Sequence, residues 1–506
     1  MLQHLGQAAS IAAKNYANKN ALIFNRKTLT FKQLHERIER AAAGLASVGV
    51  APGDIVTLYA GNSTEWVISY YAIARAGAVI NPINTMLTPE EVEFVVRDCG
   101  AKAIIVSESL VEGALRVREL VKAAVVVGDA APDDMMTFKA LLAGEFPDLP
   151  EIDVDPDSLS TICYTSGTTG HPKGAMQSHK SVIMNGAMTA QAHMRRLDDV
   201  VISALPCPHV YANVVMQAMM FYGATLVLHE RFDPAALLAD IPRHKATIID
   251  GVPTMYMYML DHPDLEKTDL SSLTRAYVGG QTMPEAKMIA VEEKFGIPLI
   301  ELWGMTEIAG LGTTHPLYGI NKHGSVGIAL PYCEVRITDP DDPETALPVA
   351  EVGELQIRGP LNMMGYYGNE DQTRATLLAD GWLRTGDMAR LDEDGCVFIV
   401  DRLKDMILTG GFNVYPAEIE RVLAGHPDVA LAAVGKKADE LKGEIAKAYI
   451  VLAKGRSGNA QAIMEYCRGH LAAYKCPREI QFVPDVPKTS TGKIMRRELH
   501  TLDADN

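Results

Sequence analysis

The sequence predicts an α/β protein whose large N-terminal domain consists of helix-covered sheets, and three observations support this. Apolar runs of strand length alternate with amphipathic helical stretches from about residue 28 to residue 302, as in parallel sheets covered by helices. Beyond residue 324 short β segments alternate with turns, which indicates a small antiparallel sheet or β-barrel-like part. The 506 residues exceed one ordinary core, so at least two domains are expected.

Capping patterns place the first helices. Thr30 followed by Gln33, and Thr88 followed by Glu91, are capping boxes that predict helices beginning just after each threonine. Asn62, with a glutamate three residues later, is predicted to be the N-cap of the helix that follows it and ends at Gly77. Strands are predicted over residues 55–60, 78–80, 103–106 and 159–163.

The alternation continues after residue 174. Strands are predicted over residues 200–205, 224–228, 247–251, 275–278 and 299–302, and helices over residues 213–222 and 234–244. Residues 200–228 contain no Asp, Glu, Lys or Arg and are long enough to span a bilayer, but they include two prolines and a histidine. We interpret them as strand, loop, helix and strand inside a core, without an integral membrane segment.

A domain boundary is expected near residue 401, which divides the chain into residues 1–401 and a small α+β domain, residues 402–506. In the second domain we predict a helix from Pro416, strands over residues 429–434 and 446–452, and a helix over residues 460–471.

Composition and charge bear on the partners and the location of the protein. The net charge of −16 argues against nucleic acid as a principal partner. Seven scattered cysteines without a Cys-x-x-Cys pair, and an N-terminus without a signal pattern, favour a reducing, cytoplasmic location.

A loop over residues 164–174 concentrates hydroxyl groups, glycines and one lysine after a predicted buried strand. Such a loop suits a polyphosphate, because glycines let N–H groups approach and the ammonium neutralises charge. It does not fit the Walker A spacing. The alternative is an ordinary surface turn. If the loop binds a polyphosphate, the candidate ligand residues are Thr165, Ser166, Gly167, Thr168, Thr169, Gly170 and Lys173.

Four further sites suggest chemistry, each with a simpler alternative. Thr306 and Glu307 follow a predicted strand and could hold Mg²⁺, or form a solvated loop. Asp387, at the end of a glycine-bounded turn, could accept ribose hydroxyls or cap the turn. Lys493, on a second glycine- and hydroxyl-rich loop, could meet phosphate charge or belong to a solvated basic tail. His209 could be a base, a gate or a packed imidazole.

Together these motifs resemble those of the adenylate-forming superfamily, which comprises acyl-CoA synthetases, stand-alone adenylation domains and firefly luciferase. The resemblance extends from about residue 28 to residue 497, in the family's order. The matching segments are residues 164–174, 303–307, 382–387, 401–420 and 487–493.

The resemblance implies roles for residues and three small molecules: ATP, Mg²⁺ and coenzyme A. The loop at residues 165–173 would hold the β- and γ-phosphates, and Glu307 with Thr306 would hold Mg²⁺ and the α-phosphate. Lys493 would bridge the substrate carboxylate and the α-phosphate. The adenosine would be bound by Gly280, Gln281, Thr282, Trp303, Asp387 and Arg402.

The resemblance further implies that the small domain is mobile and rotates about Lys404. His209 would gate the passage to a thiol tunnel, which Gly410 and Gly411 would border. Two departures bear on the substrate pockets: Trp303 stands where the family usually has Tyr, and Gln281-Thr282 replaces the common Ala-Pro.

The implied function is that of an AMP-forming carboxylic acid:CoA ligase. Its substrate would be an aromatic or a medium- or long-chain aliphatic monocarboxylate. The alternative is a stand-alone adenylating enzyme that loads an acyl carrier protein. A luciferase-type oxygenase and an inactive nucleotide-binding protein also stay open, as does the oligomeric state, with a homodimer among the options.

Overall fold

The computed structural model describes residues 2–165, 172–409, 412–439, 442–489 and 493–503. Within these ranges the chain forms four β-sheets and fourteen α-helices, so the predicted α/β class is confirmed. Several predicted site residues lie outside them: Ser166, Gly167, Thr168, Thr169, Gly170, Gly410 and Gly411.

The first sheet is mostly parallel, and the two strands before and after the glycine-rich loop form an antiparallel pair in it. Its strands, in chain order, are β3 (Ile55–Tyr59), β4 (Val79–Pro82), β5 (Ala103–Ser107), β6 (Ala123–Val127), β7 (Met136–Thr137), β8 (Leu159–Thr165), β9 (Lys173–Ser178) and β19 (Gly365–Tyr366). The short β19 pairs with β9, and so brings a distant segment beside this strand.

The second sheet has a parallel centre and supplies most strands that approach the site. Its strands are β1 (Asn20–Phe24), β2 (Lys27–Thr30), β10 (Val200–Ser203), β11 (Thr225–Leu228), β12 (Ile248–Gly251), β13 (Arg275–Val278), β14 (Leu299–Met305), β15 (Gly310–Thr314) and β16 (Ile328–Ala329). The main apolar core runs through both large sheets.

The third sheet is antiparallel, as predicted, and consists of β17 (Glu334–Thr338), β18 (Gly353–Arg358), β20 (Leu383–Leu391) and β21 (Val397–Arg402). One detail differs from the prediction. Asp387 lies inside β20 and not at the end of a turn, because the chain around it forms an antiparallel pair with β21, in which Asp387 lies opposite Arg402.

The fourth sheet contains only strands that follow residue 405: β22 (Ile407–Thr409), β23 (Phe412–Val414), β24 (Val429–Asp439), β25 (Gly443–Leu452) and β26 (Glu479–Phe482). Two apolar clusters among the described residues are built entirely from this part of the chain. We therefore keep the boundary between residues 401 and 402 as a proposal that agrees with this packing.

The helices begin with α1 (Ala8–Tyr16), α2 (Phe31–Ser47), α3 (Thr64–Arg75), α4 (Pro89–Cys99), α5 (Val111–Arg116), α6 (Phe138–Ala143) and α7 (His179–Ala192). They continue with α8 (Val210–Tyr222), α9 (Pro234–His244), α10 (Pro253–Leu260), α11 (Glu285–Phe295), α12 (Glu370–Thr376), α13 (Pro416–Ala424) and α14 (Ala460–His470). In the described ranges no helix is long and apolar enough to cross a membrane, and residues 200–228 form strand, loop, helix and strand as predicted.

Two of the three capping predictions are confirmed and one was wrong. Both capping boxes, at Thr30 and at Thr88, are confirmed. The prediction for Asn62 was wrong, because Ser63 caps α3 by accepting from the Trp66 N–H. The Asn62 amide instead donates to the carbonyls of Leu205 and His229 and accepts from the Cys207 N–H.

Candidate active site

A cavity of about 150 Å³ lies at the carboxyl ends of β13 and β14, between them, the β20–β21 pair and the C-terminal part of the chain. We call it the first cavity. Its walls include seven of the residues predicted for the site: Gly280, Gln281, Thr282, Trp303, Asp387, Arg402 and Lys493. These residues are up to 213 positions apart in sequence, and the tertiary structure brings them together. Ligands of open α/β sheets bind at this edge.

Trp303 and Arg402 both contact Asp387. The indole N–H of Trp303 donates to Oδ2 of Asp387 at 2.8 Å, and the Nε of Arg402 lies 3.3 Å from Oδ1. Both the indole and the carboxylate are buried. The carboxylate is therefore held on two sides.

Lys493 reaches the first cavity from the C-terminal loop. The loop is closed by hydrogen bonds between Thr489 and Lys493, in which the Thr489 N–H donates to the Lys493 carbonyl and the Lys493 N–H donates to the Thr489 hydroxyl. Burial, and next the charge of Arg402, lower the pKa of Lys493 to about 7. An amine held this way gains its proton readily when an anion arrives.

Glu307 lies in the 3-10 turn Thr306–Ile308 that directly follows β14. The phenol of Tyr366 donates to its Oε1 at 2.8 Å, and burial raises the pKa of the carboxyl. The side chain of Gln177 donates to the Thr306 carbonyl at 2.8 Å, which fixes the turn.

The donor set fits Mg²⁺, which prefers oxygen ligands and usually keeps water and substrate phosphates in its shell. In the part of the chain that the structure describes, no three His, Cys, Asp or Glu side chains cluster as a metal site of their own. Glu307 and Thr306 would therefore hold the ion together with a nucleotide.

The predicted loop is shorter than expected, because residues 164–165 belong to β8 and Lys173 is the first residue of β9. The Nζ of Lys173 donates to Oε1 of Gln372 at 2.5 Å and lies 5.5 Å from the centre of the Tyr366 ring. Tyr366 thus contacts both Lys173 and Glu307, through its ring and its hydroxyl. Thr165, the last residue of β8, pairs with Lys173 across the hairpin.

Sequence reasoning missed Tyr366 and Gln372. Neither belongs to a pattern with a chemical meaning, since a Gly-Tyr-Tyr segment and a glutamine on a short helix occur in many proteins. The pairing of β19 with β9 brings Tyr366 to the site, and the helix α12, which follows β19, carries Gln372 to Lys173.

His209 is the N-cap of α8, where its Nδ1 accepts from the N–H of Tyr211 at 3.2 Å. This cap starts the helix at Val210, three residues before the predicted start. Burial, and then the charge of Lys493, lower the pKa of His209 to about 4. The His209 imidazole, which interacts electrostatically with Lys493, is therefore neutral at neutral pH.

Lys404 lies in a 3-10 turn, Leu403–Asp405, between the third and fourth sheets. Burial, and then the charge of Arg402, lower its pKa. Its neighbours form an ion cluster that sequence reasoning missed: the guanidinium of Arg496 bonds three carboxylates, which belong to Asp401 (3.0 Å), Asp405 (3.2 Å) and Glu420 (2.6 Å).

Asp401 also accepts from the N–H of Ala417, at the N-terminus of α13. It belongs to β21, whereas Arg496 and Ala417 follow Lys404 in sequence. The contacts therefore connect the two sides of the proposed hinge.

A second cavity of about 330 Å³ lies beside the 204–208 loop that precedes His209. Its walls include Asn62, Pro206, Pro208, Arg231, Met255, Tyr258, Lys488 and Thr489. The Nζ of Lys488 donates to the Tyr258 hydroxyl at 3.2 Å. The C-terminal loop that carries Lys493 thus also forms one wall of this cavity.

The chain matches two family models, described as AMP-binding enzyme over residues 10–367 and AMP-binding enzyme C-terminal domain over residues 418–493. It is 35% identical over 490 residues to indoleacetate–CoA ligase of Aromatoleum aromaticum, which covers 96% of this chain and 95% of that protein. It is 32% identical to a long-chain-fatty-acid–CoA ligase of Bacillus subtilis, covering 98% and 94%.

Solved structures agree. ATP-bound MatB from Rhodopseudomonas palustris superposes with a TM-score of 0.92 at 31% identity, covering 100% of this chain and 99% of that one. The anthranilate CoA ligase AuaEII in complex with anthranoyl-AMP gives 0.92 at 28% identity, covering 99% and 98%. The chain therefore belongs to the AMP-binding enzyme family and is an AMP-forming acid–thiol ligase.

Proposed function

We propose that this enzyme activates a monocarboxylic acid with ATP and transfers the acyl group to the thiol of coenzyme A. The observation that carries the proposal is that Lys493 lies in the first cavity together with Trp303, Asp387 and Arg402. That arrangement suits the first of two half-reactions, since a cation faces the place where a carboxylate and a phosphate must meet.

In the first half-reaction a carboxylate oxygen attacks the α-phosphorus of ATP, the bond to the β-phosphate bridging oxygen breaks, and pyrophosphate leaves. Trp303 supplies a stacking face for adenine, and Asp387 accepts hydrogen bonds from the ribose hydroxyls. Lys173 and Lys493 neutralise phosphate charge. Mg²⁺, when held by Glu307 and Thr306, would withdraw further charge from the phosphates.

In the second half-reaction the thiol sulfur attacks the acyl carbon, the bond between that carbon and the AMP oxygen breaks, and the thiol proton is lost to solvent. Rotation about Lys404 would first withdraw Lys493. The same rotation would uncover the second cavity, because Lys488 and Thr489 form part of its wall. We propose this cavity as the entrance for the thiol, and His209, which directly follows the wall residue Pro208, as its gate.

The acid is proposed to be aromatic or a medium- or long-chain aliphatic monocarboxylate. The relatives named above act on acids of both kinds, as their names state. Met216, Met219 and Met220 are buried apolar side chains on α8, the helix that His209 caps, and adaptable methionines of this kind suit such acids.

The test measures pyrophosphate release with ATP and Mg²⁺ across aliphatic, aromatic and dicarboxylic acids, each with and without coenzyme A, and identifies the product by mass spectrometry. We expect an acyl-CoA from one class of monocarboxylate. Acid-dependent pyrophosphate release without any acyl-CoA, together with acylation of a holo carrier protein, would refute the proposal in favour of carrier loading.

A further inference from the structure

The hydrogen bond between Trp303 and Asp387 connects two places that the proposed function keeps separate, the adenine slot and the ribose site. Trp303 belongs to β14 of the second sheet, and Asp387 belongs to β20 of the third. At the wall of the first cavity, the indole N–H of Trp303 donates a hydrogen bond to Oδ2 of Asp387 at 2.8 Å. Trp303 is 7% exposed and Asp387 6%, so water competes little for this bond.

The two partners of Asp387 leave it free to bind more. Each carboxylate oxygen has two lone-pair directions, so the group can accept about four hydrogen bonds. Trp303 occupies one direction on Oδ2 and Arg402 faces Oδ1 at 3.3 Å. Among the partners that the described residues provide, one direction on each oxygen is left, which matches the two neighbouring hydroxyls of a ribose.

We propose that Trp303 is a positioning residue for ribose recognition, in addition to stacking on the base. Its N–H fixes the rotation of the Asp387 carboxylate, so that both oxygens face the 2′- and 3′-hydroxyls of the nucleotide. A Phe at this position would keep a stacking face but would have no donor. The inference rests on the proposed ATP site.

Trp303 also packs closely on its surroundings, since a Cβ added at Gly312 would lie 2.5 Å from its ring. If Trp303 had a purely structural role, its replacement should weaken the binding of every adenine nucleotide by the same factor. The positioning role predicts that the loss depends on the ribose hydroxyls. Comparing nucleotides separates the two.

The experiment measures Kd by calorimetry for ATP, 2′-deoxy-ATP and 2′,3′-dideoxy-ATP, in the full-length wild type, Trp303→Phe and a control, Trp382→Phe. Trp382 is an indole of equal burial that packs between Arg336 and Arg358 and does not line the first cavity. Thermal unfolding checks that each variant is folded.

In Trp303→Phe we expect ATP to bind about tenfold more weakly and dideoxy-ATP less than about twofold, with 2′-deoxy-ATP between them, because the lost bond is to a charged acceptor. The control should leave all three constants unchanged. An equal loss for the three nucleotides, or no loss for ATP, would overturn the inference.

The outcomes for the proposed function are distinct. Wild type that binds ATP but makes no adenylate from any acid refutes the ligase proposal and leaves the Trp303 comparison valid. Wild type that does not bind ATP refutes both.

Discussion

Replacing Glu301 by Gln should stabilise the protein increasingly as pH rises from 5 to 8. Glu301 lies on β14, two residues before Trp303, and is fully buried. Its Oε1 accepts from the N–H of Met283 at 3.1 Å, and its Oε2 has no hydrogen-bond partner among the described residues. Burial raises the pKa of Glu301 to about 8, so the folded protein keeps this carboxyl neutral at pH 7.

The sign follows from linkage. Between the ordinary pKa of 4.5 and about 8, the folded protein binds a proton that the unfolded chain has lost, so this group makes stability fall as pH rises. One pH unit corresponds to about 1.36 kcal/mol, which gives a ceiling of roughly 5 kcal/mol at pH 8 and less than about 1 kcal/mol at pH 5. Gln does not titrate, and its amide oxygen can accept the same bond from Met283.

The assay is thermal unfolding of wild type, Glu301→Gln and the exposed control Glu293→Gln at pH 5, 6.5 and 8. We expect the Tm difference between Glu301→Gln and wild type to grow by at least about 3 °C over this range, and the control to show no trend. A difference that does not change with pH, or that reverses sign, would refute the claim that the folded protein holds Glu301 neutral.

Three further predictions concern the half-reactions. For Lys493, whose pKa is lowered to about 7, kcat/KM for ATP should fall as pH rises through that value. Lys493→Ala should show little adenylation at any pH and should still thiolate a supplied acyl-adenylate. Equal loss of both half-reactions would contradict its withdrawal. Lys404→Pro should do the reverse, because Pro restricts φ at the hinge; intact acyl-CoA formation would place the hinge elsewhere. Tyr366→Phe removes the hydroxyl that donates to Glu307 and should lower kcat for adenylation roughly tenfold, with a higher Mg²⁺ requirement, whereas the adjacent Tyr367→Phe should change neither; equal effects would refute a positioning role for Tyr366.

Much of the fold could be predicted because its signals are local. The capping boxes at Thr30 and Thr88 depend on residues three apart, and the structure contains both. The prediction failed at Asn62, whose side chain is equally able to cap a helix and to bind distant backbone. The competing partners, Leu205, Cys207 and His229, lie more than 140 positions away.

The site shows the same division. Asp387 and Lys493 could be singled out because glycine-, hydroxyl- and charge-rich segments are visible along the chain, and Trp303 and Arg402 because the segments that contain them resemble the family's motifs. Their contacts could not, since the bond from Trp303 to Asp387 joins two sheets. The sequence also placed Asp387 in a turn, because the pairing of β20 with β21 depends on a partner strand and not on the local glycines.

The sequence by itself determined the alternation of strands and helices, the change to antiparallel segments and the order of the motifs that identify the reaction, because periodicity and spacing are properties of neighbouring residues. Only the tertiary structure decided that Tyr366 bonds Glu307, that Arg496 contacts carboxylates on both sides of Lys404 and that burial lowers the pKa of Lys493. Desolvation and hydrogen bonding arise between segments that folding brings together, and no local pattern encodes their distances.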